Sequence, residues 1–262
     1  MIGNYLHFEE AEKGIFILTF NRPKALNALN AELIEELHNL IQHQIIGNTN
    51  IRVLLVTGTG DKAFIAGADI KEFLPMDSNS ALSFASKVQD LLKTFESLPY
   101  PVIGLVNGYC LGGGSELALA CDYIIASENA IFGQPEIRFG IMTGWGGSQR
   151  LSRSIGKNRT MELLMTGRSF NAREALSMGL VTQVVPLAEL MSTGLDAARQ
   201  LVALPANALR LTKKVVLRGQ DMEVYQACEM ESQAFALCFA NANKNEGVNA
   251  FLEKRKPQFN IK

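Results

Sequence analysis

Two glutamates, each beside a loop of small residues, are the groups best placed in this chain to do chemistry. Glu116 follows Gly112-Gly113-Gly114 and falls in the first turn of the helix those glycines open. At such a helix start, backbone N–H groups point outward with no side chain in the way. Glu136 follows a proline within Phe132–Gly140 (FGQPEIRFG), and Phe64–Phe73 (FIAGADIKEF) surrounds Gly67 with small residues that expose further N–H groups. Two carboxyls and two loops with free N–H groups suit one kind of reaction. A thioester carbonyl gripped by two such donors gains enolate character as a proton is added or removed at its α-carbon. Preorganised donors of this kind contribute about 3–4 kcal/mol each. A carboxyl near the α-carbon and another near the β-carbon shuttle a proton and activate water, each worth about a hundred- to ten-thousand-fold.

Each residue also has a plainer reading. Three glycines before a helix allow close packing of helix on strand. Glu116 alone is a carboxylate favoured by the helix dipole, Glu136 alone an exposed loop acid, and Asp69 and Lys71 ordinary solvated loop charges. Only the combination is decisive.

The elements that carry these groups alternate. Gly14–Phe20 (GIFILTF) is a strand closed by Asn21-Arg22-Pro23. Asn30 caps a helix from Ala31 to Ile46, with Leu33, Leu37, Leu40, Ile41 and Ile45 on one face. Arg52–Thr57 and Pro101–Val106 read as strands, with a helix over Ala81–Leu98 between them that Pro99 stops. The glycine turn then runs into a helix ending near Cys121, and Tyr123–Ala126 is a strand. Strands alternating with helices indicate an α/β body with parallel pairing. From Leu187 onward the pattern is helical: Leu187–Leu204, Ala206–Leu217, Met222–Asn241 and Glu246–Lys254. The division expected is a core over 1–190 carrying the site and a helical module over 191–262. Val224, Phe235, Leu237 and Phe239 give the module apolar side chains on more than one face, as in a helix buried in its own body or against a neighbouring subunit.

Composition excludes several classes. Lys plus Arg is 25 and Asp plus Glu is 26, so the net charge is −1 and no global field favours nucleic acid or an anionic membrane. Any phosphate must be met by a local cluster of cations. The uncharged run Ser97–Ser115 is long enough to span a bilayer, but its prolines, glycines and Asn107 mark a buried strand, a turn and a loop. Met1–Glu12 mixes acids with apolar residues, which fits neither a signal nor a transit peptide, so a cytoplasmic location is expected. Cys110, Cys121, Cys228 and Cys238 have no paired spacing and the histidines no ligand pattern, so no metal is expected. Gly58-Thr59-Gly60-Asp61-Lys62-Ala63 imitates a dinucleotide fingerprint after a strand. Gly67 interrupts the helix that motif needs, and its acid, Asp77, lies in a polar loop.

The ordered set NRPKALNAL (Asn21–Leu29), FIAGADIKEF, NGYCLGGGSELALACDY (Asn107–Tyr123), FGQPEIRFGI, GGSQRL (Gly146–Leu151), TGRSFNAREALSMGLV (Thr166–Val181) and FLEKRKPQF (Phe251–Phe259) resembles the crotonase, or enoyl-CoA hydratase/isomerase, superfamily from about Phe8 to Phe259. That resemblance implies a spiral of repeated ββα units closed by helices, assembled as trimers that commonly pair into hexamers. It places Ala68 and Gly113 at the two oxyanion-hole N–H donors, and Glu116 and Glu136 at the two catalytic carboxylates of the hydratases. Lys24, Ala25, Leu26, Ala66, Ala68, Asp69, Ile70 and Lys71 match positions that bind the CoA portion. Gly113 and Gly144 are further substrate contacts, and Lys254 matches a basic position near the CoA phosphates. No cofactor is implied beyond the CoA of the substrate itself. One departure is evident: relatives often read PGxGG where this chain has Thr143-Gly144-Trp145-Gly146-Gly147. The lone tryptophan either reshapes the acyl end of the pocket or packs in the core or at a subunit contact.

The leading expectation is reversible hydration of a 2-trans-enoyl-CoA to a 3-hydroxyacyl-CoA. The alternatives are positional isomerisation of a 3-enoyl-CoA, which needs one carboxylate, and acyl-CoA hydrolysis. From another class comes an RNA-binding or scaffold role on the same fold, which fold alone does not exclude; no basic, aromatic-bearing run favours it.

Overall fold

The computed structural model describes residues 5–259; Met1–Asn4, part of the stretch read for a targeting signal, lie outside it. The chain opens with strands β1 (Leu6–Glu12) and β2 (Ile15–Phe20), helix α1 (Ala31–Leu40) and strands β3 (Val53–Gly58) and β4 (Ala63–Ile65). Helix α2 (Ser78–Glu96), strands β5 (Val102–Val106) and β6 (Tyr109–Leu111) and helix α3 (Gly113–Ala118) follow. Next come β7 (Tyr123–Ser127), β8 (Ile131–Gly133), α4 (Gly147–Ile155), α5 (Lys157–Thr166), β9 (Ser169–Asn171), α6 (Ala172–Met178) and β10 (Gln183–Val185). Four helices end the chain: α7 (Leu190–Val202), α8 (Ala206–Gly219), α9 (Val224–Phe239) and α10 (Ala242–Leu252).

Among the described residues, the larger sheet runs β1-β2-β3-β5-β7-β10, parallel except for the β1–β2 pair. Both faces of its inner strands β2, β3, β5 and β7 are buried, which explains why they are apolar throughout instead of alternating. Along β2, Ile15 and Ile17 face one core while Phe16, Leu18 and Phe20 face the other. In β3, Val53 and Leu55 are set apart from Leu54 and Val56 in the same way. Helix α7 covers the smaller core with Leu190 and Ala198, and approaches closely at Gly194, where an added Cβ would stand 2.6 Å from Leu105.

The second sheet runs β4-β6-β8-β9, with β4, β6 and β8 mutually parallel. Each long strand of the middle of the chain is thus followed by a short one in the other sheet and then by a helix: β3-β4-α2, β5-β6-α3 and β7-β8-α4. These are repeated ββα turns of a spiral. The short strands were not legible in the sequence, because three residues are too few to display a period of two. β1 was missed for a different reason. It is an edge strand carrying Glu9, Glu10 and Glu12, charges that keep an open edge from pairing with another chain.

Caps set several boundaries. Asn30 accepts the Leu33 N–H as expected, but α1 ends at Leu40 and its last turn widens into a π-type turn over Ile41–Ile45. Asp77 and Ser80 form a reciprocal capping box, which starts α2 three residues earlier than the apolar pattern alone indicates. After Gly60 the chain bends into β4 without forming a helix, so the dinucleotide-like motif lacks the element it needs. The loop is held instead by Asn107, whose Nδ2 donates to the carbonyls of Gly58 and Gly60 at 2.9 and 2.7 Å.

At the carboxy-terminal end, α8 and α9 pack on each other, and neither contains a fully buried residue. Lys213 of α8 ties this pair to the body: its Nζ meets Asp122 Oδ2 at 2.8 Å and donates to the Tyr100 carbonyl at 3.0 Å.

Candidate active site

The site follows from the register of the second sheet. Because β4, β6 and β8 are parallel neighbours, the segments leaving their carboxy-terminal ends lie side by side. Those segments are Ala66–Ala68, Gly112–Gly113 and Gln134–Glu136, each from a successive repeat. Gly112 N–H donates to the Gly133 carbonyl at 2.9 Å, and a Cβ on Gly112 would stand 3.9 Å from Gly67 Cα. Three stretches well separated in sequence meet within a few ångströms.

The Ala68 loop is braced by the NRPKALNAL segment. Leu29 N–H donates to the Gly67 carbonyl at 2.8 Å, and Asp69 N–H donates to the Leu29 carbonyl at 2.7 Å. Between these two committed groups, the Ala68 N–H has no acceptor among the described residues. Ala66 N–H reaches the Leu26 carbonyl at 3.1 Å, and Arg22 pairs with Asp69 at 3.2 Å. Leu26, Ala66, Ala68 and Asp69 are therefore brought together, while Lys24, Ile70 and Lys71 stand exposed at the margin with Ala25 half-buried beside them. Asp69 is thus half-buried in an ion pair and not a solvated loop charge. Lys254, just beyond α10, has no side-chain hydrogen bond or ion pair to these loops.

On the other side, Gly112 adopts φ +47°, a left-handed conformation that favours glycine, and turns the chain into α3. The geometry of a helix start leaves the N–H groups of Gly113, Gly114 and Ser115 without intrahelical acceptors. The glycines also permit close approach. A Cβ on Gly113 would lie 2.1 Å from Cζ3 of Trp145, one on Gly114 2.1 Å from the Ile65 carbonyl oxygen, and one on Gly112 2.7 Å from Glu136 Oε1.

Glu116 is 2 % exposed. Its Oε1 accepts the N–H groups of Trp145 at 2.8 Å and of Gly147 at 2.7 Å. Burial raises its pKa against the opposing pull of those two N–H groups and of Arg150. Glu136 lies on the tight helical turn Pro135–Phe139, where burial and the neighbouring charge of Glu116 push its pKa up to about 7. Its Oε2 is buried and has no hydrogen-bond partner among the described residues.

Gln134, within Phe132–Gly140, is a polar residue of the site that the sequence does not single out. It is 2 % exposed, and neither polar atom of its amide has a partner. A Cβ on Gly147 would stand 2.9 Å from both Gln134 Nε2 and Glu116 Oε1, so the amide and the carboxylate converge there. Buried polar atoms are almost always hydrogen-bonded, and three such orphans beside two carboxyls suit a polar ligand. The only signal available in the sequence was an amide at the end of an apolar strand. Gly144, exposed, accepts Gln89 Nε2 at 2.7 Å through its carbonyl. Among the described residues no group of three or more His, Cys, Asp or Glu could hold a metal, and no helix is long and apolar enough to cross a membrane.

Fold and site define a class, and comparison with known proteins agrees: residues 10–262 match the enoyl-CoA hydratase/isomerase family, and the chain belongs to it. It is 41% identical over 247 residues to a short-chain-enoyl-CoA hydratase of Clostridium acetobutylicum, covering 94% of each chain. To a crotonyl-CoA hydratase of Syntrophomonas wolfei it is 40% identical, over 95% of this chain and 96% of the other. Among solved structures, an enoyl-CoA hydratase from Bacillus anthracis superposes with a TM-score of 0.94 at 37% identity, covering 99% of this chain and 100% of that one.

Proposed function

We propose that this chain is an enzyme that reversibly adds water across the double bond of a 2-trans-enoyl-CoA, giving a 3-hydroxyacyl-CoA. The observation that carries the reading is the buried carboxyl of Glu116 beside the half-buried carboxyl of Glu136, coupled electrostatically at the mouth of two glycine-rich N–H loops. In this reading the N–H groups of Ala68 and Gly113 grip the thioester oxygen, and enolate character develops against them. Glu116, its Oε1 fixed by two N–H donors, keeps its second oxygen free to hold and deprotonate the water that attacks the β-carbon. Glu136, with its pKa near neutrality, supplies the proton to the α-carbon. The presence of both carboxyls favours hydration over isomerisation, which needs one proton shuttle.

Lys24, Lys71 and Lys254 supply the local cations for the CoA phosphates. The helices α8 and α9 present Val216, Val224, Phe235, Leu237 and Phe239 to solvent in the single chain. That exposed apolar surface supports a homotrimer or a hexamer of two trimers, in which the helical module covers the CoA end of the pocket.

Purified protein incubated with crotonyl-CoA should bleach the absorbance of the conjugated thioester. Absence of bleaching, with rising absorbance from a 3-enoyl-CoA or release of free thiol, would replace hydration by isomerisation or hydrolysis. Sedimentation equilibrium should return a mass of three or six chains, and a single-chain mass at micromolar concentration overturns the assembly.

A further inference from the structure

We propose that the indole of Trp145 is the end wall of the acyl site and restricts this protein to short acyl chains. The inference rests on the reaction proposed above and adds the substrate class. Trp145, the only tryptophan in the chain, is 5 % exposed. Its six-membered ring lies flush on Gly113, with Cζ3 2.1 Å from where a side chain on that glycine would begin. Its backbone N–H is spent on Glu116. One residue thus spans the donor that grips the carbonyl and the carboxyl that serves the β-carbon, and a chain continuing past the β-carbon has to pass the ring.

The wall is rigid. Phe84 of α2 meets the indole edge-on with centroids 5.6 Å apart, and Phe73 meets Phe84 in the same way at 6.4 Å. Arg150, paired with Glu96, donates to the Trp145 carbonyl at 3.0 Å, and Gln89 holds the Gly144 carbonyl at 2.7 Å. With both peptide groups of Trp145 anchored and its ring wedged between Gly113 and Phe84, the indole does not swing aside at low cost. A small residue at 145 would leave this face open.

The test is a ladder of 2-trans-enoyl-CoA thioesters: butenoyl, hexenoyl, decenoyl and hexadecenoyl. The native protein should lose about tenfold or more in kcat/KM between hexenoyl and decenoyl, the scale on which a pocket rejects extra methylenes. Trp145→Ala keeps the N–H to Glu116 and should raise the decenoyl-to-butenoyl ratio about tenfold, while Trp145→Phe keeps the native preference. Equal rates along the ladder in the native protein, or a uniform loss in both variants, would overturn the wall. Because the chain has one tryptophan, its emission reports the same site without any variant. Butyryl-CoA should shift it, and CoA alone and decanoyl-CoA should not. Were no thioester hydrated while that emission pattern held, the reaction would fall and the wall would stand. Hydration at every length with silent emission would be the reverse.

Discussion

Glu116 and Trp145 are joined by one hydrogen bond, from the Trp145 N–H to Glu116 Oε1 at 2.8 Å, and Gly147 donates to the same oxygen at 2.7 Å. One carboxylate oxygen is therefore committed to holding the loop before α4, and only the other is available for chemistry. The same bond fixes the start of that loop relative to α3, so the position of the indole and the position of the carboxyl are set together.

Glu116→Gln retains an oxygen for both N–H donors, so the fold should survive while turnover falls at least about a hundredfold. Glu116→Ala strands two buried N–H groups as well, at about 1–3 kcal/mol each. Thermal melts and kcat measured on both variants check this; near-normal turnover in Glu116→Gln would remove the residue from the mechanism.

Glu136 makes stability depend on pH. Its pKa rises from an ordinary 4.5 to about 7, so the folded protein binds this proton more tightly than the unfolded chain. Its stabilising contribution is complete below pH 4.5 and is lost as pH rises through about 7. Glu136→Gln has no charge to bury. Relative to the native protein its melting temperature should therefore gain between about pH 5 and pH 8, by up to about 3 kcal/mol in stability. A constant difference across that range would show that the carboxyl is not strained by burial. Turnover of the variant should fall about a hundredfold or more.

Gly113→Ala should be damaging for a reason that can be isolated. Its Cβ would meet the Trp145 ring at 2.1 Å, whereas Gly114→Ala would meet the Ile65 carbonyl oxygen at 2.1 Å. Overpacking costs about 1–3 kcal/mol, but the first collision is with side-chain atoms alone, whereas the second is with the backbone of Ile65 as well as its Cβ. Adding Trp145→Ala should restore much of the stability of Gly113→Ala and none of that of Gly114→Ala. Equal behaviour of the two double variants in chemical denaturation counts against the packing described.

What the sequence revealed divides along physical lines. The long strands and the helices on either side were legible because β2, β3 and β5 are buried on both faces and α1 and α2 carry clear apolar stripes. Glu116 and the Gly113 turn stood out because a helix start with free N–H groups is a local property. The adjacency of Ala68, Gly113 and Glu136 came only with the family resemblance, because it depends on pairing among strands of three residues that carry no periodic signal. Gln134 and the contact of Trp145 with Gly113 are tertiary facts with no local signature. The family resemblance supplied the spiral that the residues alone did not.

The helical end is held by a partly buried ion pair whose loss should be asymmetric. Lys213 is the partner that keeps the Asp122 carboxylate charged, while burial pulls its pKa upward. Lys213→Met leaves that carboxylate uncompensated and should cost about 1–3 kcal/mol. Asp122 Oδ2 also accepts the Val102 N–H at 2.7 Å, so Asp122→Asn with Lys213→Met should recover part of the loss. Limited proteolysis between α7 and α8 should quicken in the single variant, and an unchanged rate there would mean that the pair does not tether the module.

Gln134 opposes stability and activity most directly. Its amide is buried without a partner, so the free protein carries the cost of desolvating it, about 1–3 kcal/mol. Gln134→Leu removes that cost with little change in volume and should raise the melting temperature. The amide also sits beside Glu116 at Gly147, where it can hold a polar group of the bound substrate or the attacking water. Losing it should lower kcat/KM about tenfold while the Glu136-dependent pH trend in stability persists. A functional site commonly keeps a destabilising group because catalysis uses it. Gln134→Glu separates this reading from mere packing, because a third carboxyl beside Glu116 should raise the pH at which activity appears. A leucine variant that is both less stable and fully active would show that the amide is structural.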